Sequence, residues 1–497
     1  MKGNHILFIT TDEQHLKTIS AFGATTHQTP NIDRLFACST VFLHAYSASP
    51  VCLPSRCTWA TGLYPHNSRS ISNHYGASLS NRKPNLFTHL KDHGYTTSLH
   101  GKCHFIPVPY PATRPDCTLE YEHFRTYYKS LGIDILNLQD DKNNSLWFYD
   151  DYAKDLEELG LLSTYREEAH MKKSNQGVFD FPLDAELHPD AWVGRKAVEY
   201  IQTSDASQRQ FCWVSFSGPH YPIDTPASYT AQVDISKDTG RIFREDEWES
   251  SKYHYNGFHG PGTTEGSGQA PQSAQKNYSE EYWTRWRQEY FGNVVLIDEW
   301  IGKILDSAEQ QWGDAFSVVF TSDHGEMMGN HSLWGKNGSL YEDVLRVPLV
   351  VRKSGQRENH TFDAPVSSVD VFPTLLDLAG IEAPSGIDGI SLLDPQHPGL
   401  EYILSECENR VALIKDSVKL EWNYYQKGKT FYKELYNLRS DPYEFENVYN
   451  QPEYAAIQTL LEGKLQELEQ SESLLSRIFY EIQPDKGKPY WYVSKNL

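Results

Sequence analysis

Two strand-like runs far apart in the chain each end in residues that can hold a metal ion. His5-Ile6-Leu7-Phe8-Ile9-Thr10-Thr11 is apolar and β-rich and leads directly into Asp12-Glu13; Ala315 to Ser322 has the same character and leads into Asp323-His324-Gly325-Glu326. Short continuous apolar runs of this kind read as buried strands. Helix signals alternate with them. Thr29-Pro30-Asn31 opens a helix towards Cys38 with proline in its first turn, His188-Pro189 opens another through Ile201, and an amphipathic stretch from Glu280 to Gln311 runs into the second acidic strand. The alternation predicts an α/β fold, a large mainly parallel or mixed sheet flanked by helices on both faces. Ligands of open α/β sheets gather beyond the carboxyl ends of the strands, so paired carboxylates there suit a hard divalent cation.

Further strands deliver basic residues. Tyr95 to His100 reads as a strand and runs into Gly101-Lys102-Cys103-His104. On an extended backbone, residues two apart point to one side, so Lys102 and His104 are expected to face one pocket. Phe211 to Phe216 is another strand and ends at Ser217-Gly218-Pro219-His220. Gly329-Asn330-His331-Ser332-Leu333-Trp334-Gly335-Lys336 places a lysine thirteen positions after Asp323. Residues 52–56 read Cys-Leu-Pro-Ser-Arg. Alone, that string also describes a Pro-Ser turn entering a helix, with Cys52 a small apolar side chain. If a helix begins there, Arg56 shares a face with Cys52 and the helix N-terminus favours an anion.

Together these features resemble the type I sulfatases, the formylglycine-dependent members of the alkaline phosphatase superfamily, over roughly residues 4 to 450. The resemblance implies an alkaline phosphatase-like fold and hydrolysis of sulfate monoesters, with Cys52 oxidised after synthesis to formylglycine by a dedicated maturation enzyme. It implies that Asp12, Glu13, Asp323 and His324 hold one divalent cation together with the modified Cys52. Glu13 departs from the usual Asp or Gln and His324 from a common Asn, so Glu13 either ligates the ion or supports a residue that does. Three carboxylates and an imidazole favour Ca²⁺, with Mg²⁺ an alternative and the nitrogen admitting Mn²⁺ or zinc. By the same resemblance Lys102 contacts the formylglycine hydroxyl and the sulfate, and His104 takes the proton that lets the hydrate collapse. His220 binds sulfate and protonates the leaving oxygen, Lys336 is the second sulfate-binding lysine, and Arg56 points its cation back at the nucleophile. Asn73 matches a position near the substrate, with His66 and His74 beside it; His331 is an accessory candidate.

The residue types suit the chemistry. A sulfate monoester resists attack because anionic oxygens screen sulfur and the alkoxide leaves poorly; cations address the first obstacle and a general acid the second. A serine nucleophile would end as a stable sulfate ester, whereas a geminal diol can expel sulfate once its second hydroxyl is deprotonated. A phosphonate monoester or phosphodiester hydrolase on the same scaffold is the alternative, although its members typically lack the Lys-x-His pair. A catalytically silent carbohydrate-binding relative is the reading outside enzymology. A phosphoglycerate mutase-like enzyme is disfavoured, because its nucleophile is serine.

A formal charge of −21 and a sequence pI near 5.4 argue against nucleic acid as a partner. They also require capture of an anionic substrate by a local basic pocket, since salt screens charges beyond roughly 8 Å. Aromatic content of 13% fits stacking on sugars, hence a sulfated carbohydrate, and equally a large core. No apolar run approaches the ~18 residues of a membrane span, and no leader follows Met1-Lys2. That reads as cytoplasmic as written, or periplasmic or secreted if a leader was trimmed. Seven cysteines without regular spacing show no disulfide framework. A homo-oligomer stays open.

Two stretches break the βα rhythm, residues 138–175 and 225–278, the second ending in a Gly/Ser/Gln-rich tract from Gly260 to Ala274. Long insertions of this kind are usually lids, binding loops or disordered surface, and one of the two is expected to shape the substrate pocket. After a helical segment at Asp370 to Leu375, Gly386 to Gly389 and Leu393 to Pro398 read as a linker. Short strands at Val411 to Lys415 and Lys419 to Trp422 follow, then Glu434 to Pro442, which resembles a bacterial sulfatase C-terminal signature, and a helix from Glu453 to Leu468. The expected division is a catalytic domain, 1–392, and a smaller C-terminal α+β subdomain, 393–497, with a small antiparallel sheet.

Overall fold

β1 (His5–Asp12) is buried along its whole length, as its unbroken apolar run requires of a central strand. The computed structural model describes residues 4–73, 78–106, 121–142, 149–173, 177–245, 278–336, 339–407, 410–424 and 430–471. His74, the Gly260–Ala274 tract and the chain after residue 471 lie outside the described residues.

The strands that follow are β2 (Thr40–Phe42), β3 (Ala45–Tyr46), β4 (Tyr95–Gly101), β5 (Ile135–Leu138), β6 (Arg209–Pro219), β7 (Phe316–Ser322), β8 (Leu349–Arg352), β9 (His360–Phe362) and β10 (Val366–Ser367). Eight of them form one sheet in the order β5-β4-β6-β1-β7-β8-β2-β9, and β3 pairs with β10 apart from it. All pairs in the large sheet are parallel except the two that β8 makes, so the sheet is mixed but mainly parallel.

Alternate residues of β1 feed two cores. Ile6 and Phe8 pack with Trp213, Leu53, Trp59, Leu90 and Phe372 on one face. Leu7 and Ile9 pack with Val214, Val318, Trp192, Ile301 and Tyr152 on the other. The first layer includes the Cys52–Thr61, Leu86–Asp92 and Val371–Leu378 helices; the second includes the Pro30–Phe36, Asp151–Glu158, Pro189–Thr203 and Glu280–Trp312 helices. Helices therefore cover both faces, as the alternating pattern required.

Register puts the strand ends side by side. Gly101 pairs with Ser215, Ser215 with Thr10, and Thr10 with Thr321, a single row across four strands. Thr11 pairs with Ser322, so Asp12 and Asp323 emerge next to each other. Between Thr10 and Asp12 the β1–β6 register slips, a bulge at the edge where the site lies.

β11 (Ile403–Cys407), β12 (Arg410–Lys415), β13 (Val418–Tyr424) and β14 (Thr430–Asn437) make a four-stranded antiparallel sheet, and the Ala455–Ser471 helix packs on one face through Leu461 and Leu465. Its other face sets Ile403, Ala412 and Ile414 against Tyr46, Val51, Leu340 and Leu345 of the main body.

The described part of the stretch 138–175 is largely helical. It carries the Asp151–Glu158 helix, N-capped by Asp150, and the Leu162–Lys173 helix, with Tyr152, Leu156 and Tyr165 in the core. Each helix is short and buries one tyrosine, Tyr152 or Tyr165, beside a few small or aliphatic residues, so the run of apolar positions along the chain is brief. Among the described residues no helix is long and apolar enough to cross a membrane.

Candidate active site

Cys52 is the first residue of the Cys52–Thr61 helix and is buried. Its Sγ lies 3.3 Å from His324 Nε2 and 3.7 Å from both Asp12 Oδ1 and Asn73 Nδ2. Asn73 Oδ1 accepts the Leu53 N–H at 3.0 Å, so this side chain also satisfies one of the helix's free N–H groups. Burial pushes the Cys52 thiol pKa up, but Lys102, Lys336 and His324 outweigh it and hold the thiol well below its usual range. Position 52 is thus built to stabilise negative charge. Cys57 and Cys103, also buried, shift the other way, Cys57 to about 12, because burial dominates there.

Arg56, expected from its helical spacing to face the nucleophile, does lie near Cys52. Burial lowers the guanidinium pKa, but Asp323, Asp12 and Cys52 outweigh it and raise the value. The hydrogen bonds of Arg56 go to other groups. Its Nε donates to Asp323 Oδ2 and its Nη2 to Asp12 Oδ2, each at 3.1 Å, while Nη1 donates to the Lys102 carbonyl at 3.0 Å and Ser215 Oγ at 2.8 Å. The guanidinium is fully buried between the two acidic strand ends and ties them together. Two planar carboxylates to be bridged attract the side chain more strongly than one thiol does.

Lys102 and His104 do converge, but through a turn and not a pleat. β4 stops at Gly101, whose φ of 107° only glycine adopts freely, and His104 has a φ of 49°. Lys102 Nζ sits 2.5 Å from Asp12 Oδ2 and 2.6 Å from Asp141 Oδ2. The buried His104 ring lies close enough to the Cys52 thiol to help lower its pKa, yet neither ring nitrogen makes a hydrogen bond of normal geometry.

On the opposite side, His220 Nδ1 donates to the Tyr221 carbonyl at 2.6 Å, which turns Nε2 towards Lys336 Nζ at 2.9 Å and Glu13 Oε2 at 3.1 Å. Burial and Lys336 lower the His220 pKa, but Glu13, Asp141 and Asp12 raise it above the ordinary histidine value, favouring the proton-bearing form. His331 stands apart from this group: its ring stacks on Tyr341 at 4.2 Å and lies 4.7 Å from Phe445. His66 is held by Glu406 at 2.8 Å, in a contact between the main body and β11.

Ligand atoms of Asp12, Cys52, Asp323 and His324 all lie within 4.8 Å of one another, every residue buried. Asp12, Glu13 and His220 form a second such group, because the Glu13 carboxylate turns to His220 and Lys336. His324 Nδ1 donates to the Gly325 carbonyl at 2.9 Å, leaving Nε2 as the ligating nitrogen. Burial and then Asp12 push Asp323 up to about 6. Against burial, Lys102, His220 and Arg56 hold Asp12 below the usual carboxylate range instead. The fit to a divalent cation therefore rests on the donor types brought together: two carboxylates, an imidazole nitrogen and residue 52.

A family model described as Sulfatase matches residues 4–381. The chain belongs to the sulfatase family. Among its relatives, the arylsulfatase of Clostridium perfringens strain 13 is 27% identical over 490 residues, covering 91% of this chain and 92% of its own. The N-acetylglucosamine-6-O-sulfatase of Bacteroides thetaiotaomicron is 24% identical over 512 residues, covering 94% of this chain and 86% of its own. Among solved structures, the phosphonate monoester hydrolase of Agrobacterium radiobacter superposes with a TM-score of 0.76 at 22% identity, over 95% of this chain and 97% of that one. At that identity the likeness is one of fold.

This sulfatase is a sulfuric ester hydrolase, and its site contains residues that local sequence patterns did not single out. Asp140 accepts the N–H groups of Cys103 and His104, Asp141 holds Lys102, and Ser215 holds Arg56. Their partners lie just beyond the end of β4 or on the Cys52–Thr61 helix, so the arrangement of elements in space, not spacing along the chain, creates these contacts.

Proposed function

We propose that this sulfatase hydrolyses sulfate monoesters of carbohydrates with a formylglycine nucleophile made from Cys52. The observation that carries the reading is the environment of position 52: a helix N-terminus facing two lysines, a histidine and a carboxylate-lined cation site, all tuned to hold an anion. The carbohydrate class draws support from the N-acetylglucosamine-6-O-sulfatase relative.

Conversion of Cys52 supplies a hydrated aldehyde, with one hydroxyl to attack sulfur and a second through which sulfate is later released. A divalent cation held by Asp12, Asp323, His324 and the converted residue would polarise the sulfate oxygens; we take it to be Ca²⁺, with Glu13 a direct ligand or a support. Lys102 and Lys336 offset charge on the sulfate as it is transferred. His220, its proton favoured by Glu13 and Asp141, donates to the leaving alkoxide oxygen. His104 takes the proton from the second hydroxyl; that electron pair closes the carbonyl, the carbon–oxygen bond to sulfate breaks, and sulfate departs with the bonding pair. Asn73 orients residue 52, and His331 shapes a neighbouring wall. We also divide the chain at residue 392, since the last strand of the large sheet ends at Phe362 and the small sheet begins at Ile403.

The test is expression with a formylglycine-generating enzyme, followed by assay on sulfated mono- and disaccharides, 4-nitrophenyl sulfate and a phenyl phosphonate ester. The reading expects a mass loss of about 18 Da at residue 52, as a thiol becomes an aldehyde, and sulfate release from at least one sugar. Cleavage of the phosphonate ester alone would favour the alternative hydrolase, and no conversion with no turnover would favour a silent binding protein.

A further inference from the structure

Lys102 and His104 are held in quite different ways. The Lys102 ammonium is fixed through its own side chain, between Asp12 and Asp141. His104 has no such anchor: its buried ring approaches the Cys52 thiol, but neither ring nitrogen makes a hydrogen bond of normal geometry among the described residues. What is fixed is its backbone. The N–H groups of Cys103 and His104 converge on one oxygen, Asp140 Oδ1, at 2.8 Å each. The other oxygen, Oδ2, accepts the Tyr128 hydroxyl at 2.9 Å, and Asp140 is 2% exposed. This clamp coincides with the left-handed φ of 49° at His104, a conformation that costs a non-glycine residue roughly 1 kcal/mol. Two charge-assisted bonds to a buried carboxylate are strong enough to offset that strain.

We propose that Asp140, at the carboxyl end of β5, is the positioning residue for His104: it imposes the left-handed turn that ends β4 and so aims the imidazole ring at position 52. The inference rests on the sulfatase mechanism proposed above, in which His104 serves the release of sulfate and not its first transfer. Loss of the clamp therefore slows the second half of the reaction selectively.

The experiment compares Asp140→Ala, Asp140→Asn, His104→Ala and the Asp140→Ala/His104→Ala double variant, all converted at residue 52, on 4-nitrophenyl sulfate. Asp140→Ala is expected to keep the first-turnover burst of nitrophenol, to lose about 100-fold in steady-state kcat, and to accumulate protein heavier by one SO₃. Asp140→Asn retains an oxygen acceptor and is expected to restore turnover. The double variant is expected to be no slower than His104→Ala, since Asp140 acts through that ring. Amide hydrogen exchange, read without substrate, supplies an arm independent of chemistry: Cys103 and His104 are expected to be protected in the wild type and in Asp140→Asn and to lose protection in Asp140→Ala. Unprotected amides in the wild type, wild-type turnover by Asp140→Ala, equal loss of burst and steady state without the adduct, or failure of Asp140→Asn to restore turnover would each overturn the proposal. Protected amides in a wild type that cleaves no sulfate ester would instead sink the mechanistic reading and leave the clamp standing.

Discussion

Arg56 shows how a residue with an evident motif can do something other than the motif suggests. Its spacing from Cys52 was legible, its partners were not, because they come from β1, β6 and the residues just after β4 and β7. One buried guanidinium bridges Asp12 and Asp323, and a lysine, with a single point charge, cannot span both. Arg56→Met is expected to destabilise the fold by about 3–5 kcal/mol, since it leaves buried carboxylates uncompensated; urea unfolding measures this. Arg56→Lys is expected to fall between, and a midpoint unchanged in both variants would show that the bridge contributes little. Asp140 and Asp141 were invisible for a related reason. An adjacent pair of aspartates in an acidic stretch has no local pattern, and their role appears only once β5 is known to lie beside β4.

The elements themselves were largely readable. Apolar runs marked β1 and β7, Pro30 and Pro189 marked helix starts, and the long amphipathic stretch became the Glu280–Trp312 helix. How the strands stop was not readable. A Cβ on Gly101 would lie 1.9 Å from the Ser215 carbonyl oxygen, on top of a left-handed φ. Gly101→Ala is therefore expected to cost about 3 kcal/mol or more and to drag Lys102 out of place, measured as a lower Tm together with lost turnover. A second element-level feature is Asp298 on the Glu280–Trp312 helix, which accepts the Asn31 and Ile32 N–H groups at the start of the Pro30–Phe36 helix. Burial pushes its pKa up from 3.8 to about 6 against the lowering effect of those bonds. Below pH 3.8 both folded and unfolded states keep the proton, so there is no linkage; between 3.8 and 6 only the folded state keeps it, and stability falls as pH rises. The loss is at most about 3 kcal/mol. In Asp298→Asn it is expected to vanish, so the Tm of the variant should gain on the wild type from pH 4 to pH 7; a constant difference across that range would contradict this.

On the scale of the whole molecule, the protein gathers cationic side chains and a set of possible metal ligands around one position while its net charge is −21. The main sheet and the site at its edge were foreseeable because one topology brings every chemically loaded strand end to the same side. Where the small sheet packs was not foreseeable, since that contact is made by apolar side chains with no distinctive spacing. If the Asp12 and Asp323 carboxylates rely on a bound cation, a chelator should lower the Tm and abolish turnover, and Ca²⁺ should restore both; a ligand at 100 times its Kd contributes about 2.7 kcal/mol. A Tm indifferent to chelation would remove the ion from the account. The central claim, that residue 52 is the group that takes sulfate from the ester, is tested most directly by sulfate release from 4-nitrophenyl sulfate by converted wild-type protein and by Cys52→Ala prepared in parallel. The account predicts multiple turnovers with the first and none above background with the second, and equal release by both proteins would contradict it.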